Sequence, residues 1–296
     1  MSYFYNPYEI LKSAQEENYA LGSFNFSTAE ILKAIVLAAK ELNSPIIVST
    51  SEGEAEFIGM REAAALVSAW REATKLPVIL NLDHGKSLKS IKKALAAGYN
   101  AIHFDGSGFT YEKNIAETKK VVDFVRDFER TFDRKIIVEG ELGYLRGSSS
   151  IHKGKLEIQP EDLTDPKQAK EFIEKTGIDS LAMVVGNAHG IFSQSEEKLN
   201  LERLAEIKKE TGEKAFLVLH GGSGISENDI IKAIESGVVK INVNTELRVA
   251  YKEAMAKELV GAPDETTPYK ILEPSLEAVK KVVEGKIKLF GSGGRV

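Results

Sequence analysis

The sequence contains no cysteine. That excludes disulfides, thiolate metal sites, iron–sulfur clusters and a cysteine nucleophile. Histidine is scarce, with five in 296 residues. Any transition-metal site must therefore combine those few imidazoles with carboxylates. The longest apolar runs, such as the one at Ala34–Ala39, fall far short of the roughly 20 residues a membrane helix needs. The start, MSYFYNPYEI, has no basic segment followed by an apolar core, so no secretory signal is expected and the cytoplasm is the expected compartment. A basic excess is also missing. Lys+Arg number 39 against 44 Asp+Glu, for a formal net charge of −5 and a pI near 5.7. Neither nucleic acid nor an anionic membrane surface is expected as a partner. The 43% hydrophobic and 28% charged content rules out a disordered chain.

What is present is a repeated alternation. Short β-rich apolar runs occur at Leu21–Phe26, Ile46–Thr50, Val78–Leu82, Ala101–Phe104, Ile136–Val138, Ser180–Val185, Phe216–Leu219 and Val239–Val243. Amphipathic stretches lie between them, among them Ala29–Leu42, Met60–Ala73, Leu88–Ala97, Tyr111–Phe128 and Leu201–Glu210. Ser27-Thr28-Ala29-Glu30 fits a capping box, Ser226 opens a similar one, and Gly98, Gly177 and Gly237 stand where helices end. Continuous apolar strands imply burial on both faces, as in a parallel sheet wrapped by helices. Eight such units predict an α/β fold, a (β/α)8 TIM barrel with a C-terminal helical extension. Residues 1–296 read as a single barrel domain, with 261–296 as the extension and a helix near Ser275–Lys286. The segment Gly143–Pro166 reads as a long functional loop. An open doubly wound sheet is the alternative, but no GxGxxG follows the first strand.

The expected C-terminal strand ends carry Asn25, Ser51, Asp83-His84, Asp105, Glu139/Glu141, His189, His220 and Asn242. In a barrel this rim is where chemistry is done. His84, His189 and His220 each follow a buried run and precede Gly. Imidazoles from separate strands can converge on one divalent metal, and three ligands with an open position make a catalytic zinc site. Three separately hydrogen-bonded core histidines are the competing reading. Asp105 and Glu141 are candidates for an alternate ligand or for a group supporting one. His103 reads as a packed or supporting residue within a strand, and His152 as a solvent-facing loop residue. Gly221-Gly222-Ser223-Gly224 and Asn242-Val243-Asn244-Thr245 follow the seventh and eighth strands, the recurrent phosphate position of such barrels. Asp83, beside the metal candidate His84, suits a general acid/base. Metal, phosphate anchor and carboxylate together suit enediolate chemistry on a phosphorylated ketose, either isomerisation or retro-aldol cleavage.

The residues at these positions resemble those of the class II, metal-dependent ketose-bisphosphate aldolases. The stretches GSFNF (22–26), STSEG (49–53), LDHG (82–85), FDGS (104–107), VEGELG (138–143), GNAHG (186–190), LHGGSGI (219–225) and KINVNTELR (240–248), with a terminal GS at 291–292, run in order along nearly the whole chain. The resemblance implies that His84, His189 and His220 bind Zn2+, with Asp105 and Glu141 near its alternate position. It implies that Asn242 hydrogen-bonds the enediolate of dihydroxyacetone phosphate, and that Asp83 exchanges the proton of the hydroxyl at the cleaved bond. Gly190, Gly222, Ser223, Asn244 and Thr245 would hold the phosphate end, with Asn25 and Ser51 lining the pocket. A monovalent cation (Na+ or K+) near the phosphate and a homodimeric or homotetrameric assembly are also implied. The implied activity is reversible cleavage of a ketose bisphosphate, such as fructose or tagatose 1,6-bisphosphate. A ketose 1-phosphate or other non-bisphosphate substrate, or a metal-dependent sugar-phosphate isomerase or epimerase, is the alternative.

Three departures stand out. Arg146-Gly147-Ser148-Ser149-Ser150 occupies the place of the family's Gly-Gly-x-Glu-Asp, whose Glu moves the carbon-bound proton; His152 or Glu157 are the nearest replacements. Pro268-Tyr269-Lys270 stands where an Arg reads the far phosphate, and Lys offers a point charge rather than a fork. Ser193 replaces the Lys often found after His-Gly-x-x.

Overall fold

The computed structural model describes residues 5–155, 157–193 and 198–296. A first helix, α1 (Pro7–Glu16), leads into β1 (Leu21–Asn25), α2 (Ala29–Glu41), β2 (Ile46–Ser51), α3 (Glu52–Ile58), α4 (Met60–Thr74), β3 (Val78–Gly85) and α5 (Leu88–Ala97). There follow β4 (Ala101–Phe104), α6 (Tyr111–Phe132), β5 (Ile137–Leu142), β6 (Gly147–His152), α7 (Pro166–Thr176), β7 (Ser180–Met183) and β8 (His189–Phe192). The chain ends with α8 (Leu201–Thr211), β9 (Phe216–Leu219), α9 (Glu227–Glu235), β10 (Val238–Val243), α10 (Thr245–Gly261) and α11 (Pro268–Phe290). Strands β1, β2, β3, β4, β5, β7, β9 and β10 pair in that order and close into a barrel. All eight neighbours are parallel, so the (β/α)8 barrel expected from the strand spacing is the observed fold.

Local chemistry sets the element ends. Thr28, one residue later than the expected Ser27, caps α2 by accepting from Ile31 N–H. Ser226 caps α9 through Asp229 N–H. Gly98 and Gly177 close α5 and α7 in the left-handed conformation, which costs glycine no side-chain clash.

Side chains two apart on a strand share a face, and this divides the barrel interior into three layers. At the N-terminal end Leu21, Ile47, Ile79, Ala101, Ile137, Phe216 and Val239 form an apolar floor, closed from below by Leu11 and Ala14 of α1. The middle layer is polar and buried: Ser23, Ser49, Asn81, His103, Glu139 and Lys240. Its members bond to one another, Ser23 to Ser49 at 2.8 Å, Asn81 to Ser49 at 3.1 Å and Lys240 to Glu139 at 2.6 Å. Lys240 reaches this layer because the β10 register shifts between Val238 and Lys240. The C-terminal layer holds Asn25, Ser51, Asp83, Asp105, Glu141 and Asn242. The larger apolar core lies outside, between the strands and the helices.

The structure departs from the sequence reading in three places. Residues 143–166 are not an irregular loop throughout: β6 pairs in parallel with β8, in a small sheet separate from the barrel. Its residues are mostly exposed, so no apolar pattern announces it. Helices α1 and α3 are additional; α1 is marked by Pro7 at its first position and an Asn6 cap. The C-terminal helix is longer than 275–286, spanning 23 residues with Pro274 inside. Its buried Val279, Val283, Ile287 and Phe290 face the core. No described helix is long and apolar enough to cross a membrane.

Candidate metal centre and active site

The site begins with an irregularity in β3. Leu82 pairs with Ile102 and Gly85 with Phe104, so Asp83 and His84 together oppose the single residue His103. This is a β-bulge, and His84 takes the left-handed backbone (φ 50°). In a regular strand neighbouring side chains point to opposite faces. Here both Asp83 and His84 line one cavity.

Three histidines meet at its base. His84 Nδ1 lies 3.1 Å from Asp105 Oδ2 and 3.4 Å from Glu141 Oε2. Asp105 is itself held by Ser107, through N–H at 3.0 Å and the hydroxyl at 2.6 Å, and by the Lys86 ammonium. His220 Nε2 lies 2.9 Å from Glu139 Oε1, while its buried Nδ1 has no partner. His189 opens β8, its N–H donating to Arg146 O at 2.8 Å, and its Nε2 sits 3.2 Å from His84 Nε2. A ring nitrogen facing a carboxylate carries the proton and leaves the other as a lone pair. That logic leaves His84 Nε2 and His220 Nδ1 free, beside His189 Nε2. Burial and the adjacent His84 and His220 push the His189 pKa down to about 3, so this ring is neutral.

Charge agrees with the donor set. Asp83, Asp105, Glu139 and Glu141 are all buried. Burial would raise their pKa values, yet the neighbouring imidazoles, with Lys240 for Glu139 and Lys86 for Asp105, hold all four below the usual carboxylate range. Burial would lower the His84 pKa, yet Asp83, Asp105 and Glu141 among these carboxylates hold it well above its usual value without a metal. With the imidazoles neutral, as ligation requires, four carboxylates against the two ammonium groups Lys86 and Lys240 leave two negative charges, the complement of a divalent cation. The orphaned His220 Nδ1 and the close His84–His189 nitrogen pair thus fit a metal.

Above the histidines a cavity of about 250 Å³ is lined by Asn25, Ser51, Asp83, Ser149, Gly190, Gly221, Ser223, Asn242, Asn244, Thr245 and Arg248, with the three imidazoles. Asp83 accepts from Asn242 Nδ2 at 3.1 Å and from Asn25 Nδ2 at 3.0 Å. The two amide oxygens have no partner. Asp105 and Glu141 lie behind His84 rather than on the wall. Gly222 is also off the wall: its N–H is given to Asn242 O at 2.8 Å, and Gly221 lines the cavity in its place.

The family model for class-II fructose-bisphosphate aldolase matches residues 5–295. This chain belongs to that family. The aldolase is 39% identical over 292 residues, 97% of each chain, to a Bacillus subtilis (strain 168) protein described as "Probable fructose-bisphosphate aldolase". Among solved structures it is similar to the YdjI aldolase of Escherichia coli K12, with a TM-score of 0.80, 34% identity and 97% of each chain covered. The fold also matches a fructose-bisphosphate aldolase of Campylobacter jejuni, with a TM-score of 0.78 and 22% identity over 97% of this chain and 95% of that one. Class II aldolases are metal-dependent lyases, and the cluster of His84, Asp83, His103 and His220 and that of His84, Asp105 and Glu141 bring together ligating atoms of the types such a metal takes.

Several residues of this aldolase escape sequence reasoning. Glu54 is buried, closes a capping box with Ser51 and accepts from Asn25 at 2.9 Å. The Ser51-x-x-Glu54 spacing is the readable signal for it. Arg248 bridges Glu54 at 2.6 Å and Ser149 O at 3.0 Å, tying α10 to β6. Of the candidates for the departures, His152 is half-buried, stacked on Phe192, rather than solvent-facing, and Glu157 is exposed. Lys270 pairs with Glu265 at 3.0 Å. None of these three lines the cavity, nor does Ser193, whose hydroxyl donates to His152 O.

Proposed function

We propose that this aldolase reversibly splits a phosphorylated ketose, such as fructose or tagatose 1,6-bisphosphate, into dihydroxyacetone phosphate and an aldehyde. The observation that carries the reading is the set of three ring nitrogens, of His84, His189 and His220, beside Asp83 at the base of the cavity. These three hold zinc, and Asp105 and Glu141 orient His84 from behind and offer an alternate ligand position. Zinc bound there supplies a Lewis acid that polarises the ketose carbonyl. Asp83 accepts the proton of the hydroxyl at the cleaved bond; its ionised state and its two amide donors suit a base. Asn242 has a second amide hydrogen for the enediolate oxygen, and the unpartnered oxygens of Asn25 and Asn242 accept substrate hydroxyls. Ser223 and Thr245, with Asn244, Gly190 and the backbone around Gly222, take the phosphate at the start of α10, where helix geometry favours an anion. Ser51 completes the wall. A monovalent cation, Na+ or K+, accompanies the phosphate.

Residues 1–296 act as one barrel unit, 261–296 being its extension, in a cytoplasmic homodimer or homotetramer. A ketose 1-phosphate or other non-bisphosphate substrate is the second reading. It is favoured by Lys270, which pairs with Glu265 away from the cavity. The test incubates the zinc-loaded protein with dihydroxyacetone phosphate and a panel of aldehydes, and identifies the ketose products. Condensation only with phosphorylated aldehydes supports the bisphosphate reading; condensation with unphosphorylated ones supports the second. A strong chelator should abolish activity and zinc should restore it. Full activity in metal-free protein would refute the metal reading.

A further inference from the structure

His103 is fully buried in β4 (0% exposed); it packs against His84 and His220 without lining the cavity. Its position across from the β3 bulge explains why an imidazole stands there. A bulge inserts an extra residue into the ladder and leaves a backbone group without a partner. The His84 N–H is such a group, and His103 Nδ1 accepts it at 3.2 Å. A buried N–H left unbonded is costly, and the left-handed backbone of His84 is strained for a non-glycine residue. The His103 ring therefore supplies the acceptor that the neighbouring strand's backbone does not.

The same bond fixes the tautomer. Nδ1 accepts, so Nε2 carries the ring proton and is not available as a metal ligand. Nε2 faces Glu141 Oε2 at 3.1 Å, short of full hydrogen-bond geometry since neither atom has a completed partner. His103 thus touches the two groups that orient His84: its backbone on one side, and on the other the carboxylate 3.4 Å from its Nδ1.

We propose that His103 is the positioning residue of the metal centre, holding the Asp83–His84 bulge through Nδ1 so that acid/base carboxylate and metal ligand enter one cavity. Loss of the acceptor lets β3 relax toward regular pairing, which turns one of the two side chains away. The inference rests on the metal reading given above, and its test separates the two. Asparagine places an oxygen where Nδ1 stands; leucine removes both contacts; glutamine keeps a donor near Glu141 but places no acceptor where Nδ1 stands.

Zinc affinity, by competition with a chromophoric chelator, and the visible spectrum of the cobalt(II) form are measured for the parent protein and for His103→Asn, His103→Leu and His103→Gln. His103→Leu should bind zinc about 10–100-fold more weakly with a changed cobalt spectrum. His103→Asn should stay within about threefold of the parent, with the parental spectrum, a split that loss of packing alone would not produce. If the leucine variant does not fold, His103→Gln takes its place with the same expectation. An acceptor-less variant with parental affinity and spectrum, or an asparagine variant as weak as leucine, overturns the proposal. A parent protein that takes up no zinc overturns the metal reading on which it stands.

Discussion

Asp83 receives a hydrogen bond on each oxygen, from Asn242 and from Asn25, and so its carboxylate plane is set before substrate arrives. An amide at this position keeps the shape and removes the base. Asp83→Asn should therefore lower kcat by about 10²–10⁴ while the zinc content stays parental, since the three free ring nitrogens belong to other residues. Steady-state kinetics with metal analysis on the same sample reads both. Activity within tenfold of the parent would remove Asp83 from the proton transfer. Much of the site was legible at this scale: His84, His189 and His220 each interrupt an apolar run just before Gly, a pattern visible without the fold. Glu54 and Arg248 were not singled out, because what gives them meaning is contact across the chain, Glu54 with Asn25 29 residues away and Arg248 with Ser149 99 residues away.

Among elements, the eight barrel strands were readable because burial on both faces makes them continuously apolar. Strand β6 was not, since Ser148-Ser149-Ser150 carries no such pattern and its pairing comes from β8. Helix α1 escaped because its buried face is only Pro7, Leu11 and Ala14. The exposed β6 is tied to α10 by Arg248, whose two arms reach Ser149 O and Glu54. Arg248→Ala should free β6 without unfolding the barrel, because the buried Glu54 keeps its bonds from Asn25 and the Ser51 N–H. Amide hydrogen exchange across residues 147–152 should quicken, with the amides of β1 and β2 unchanged. Unaltered exchange in β6 would show that the β8 pairing alone holds it.

Across the whole molecule the three interior layers separate stability from chemistry, and the polar middle layer joins them. Leu11 lies in the apolar floor, two layers from the histidines. Leu11→Ala should cost about 2–5 kcal/mol of stability and leave zinc affinity and kcat/KM unchanged. Lys240 lies in the middle layer, 3% exposed and 2.6 Å from Glu139, which in turn holds His220. Burial would raise the Glu139 pKa, but the Lys240 ammonium and the His220 N–H bring it down to about 2, from 4.5. A carboxyl whose pKa is lower folded than unfolded contributes stability above its unfolded value and loses it as pH falls through the folded one. The contribution is on the order of 3 kcal/mol, lost between pH 4.5 and about 2. In Lys240→Met the buried carboxylate stands without its ammonium. The variant should be about 3–5 kcal/mol less stable at neutral pH, and because burial now holds its Glu139 pKa above the unfolded value of 4.5, its deficit against the parent should shrink as pH falls toward 4.5. Unlike Leu11→Ala, it should also bind zinc more weakly, because Glu139 takes up a proton and no longer fixes which nitrogen of His220 is free. Thermal melts from pH 8 to 3, paired with zinc titrations, distinguish the two variants. Equal zinc affinity in both would show that the middle layer supports the barrel alone.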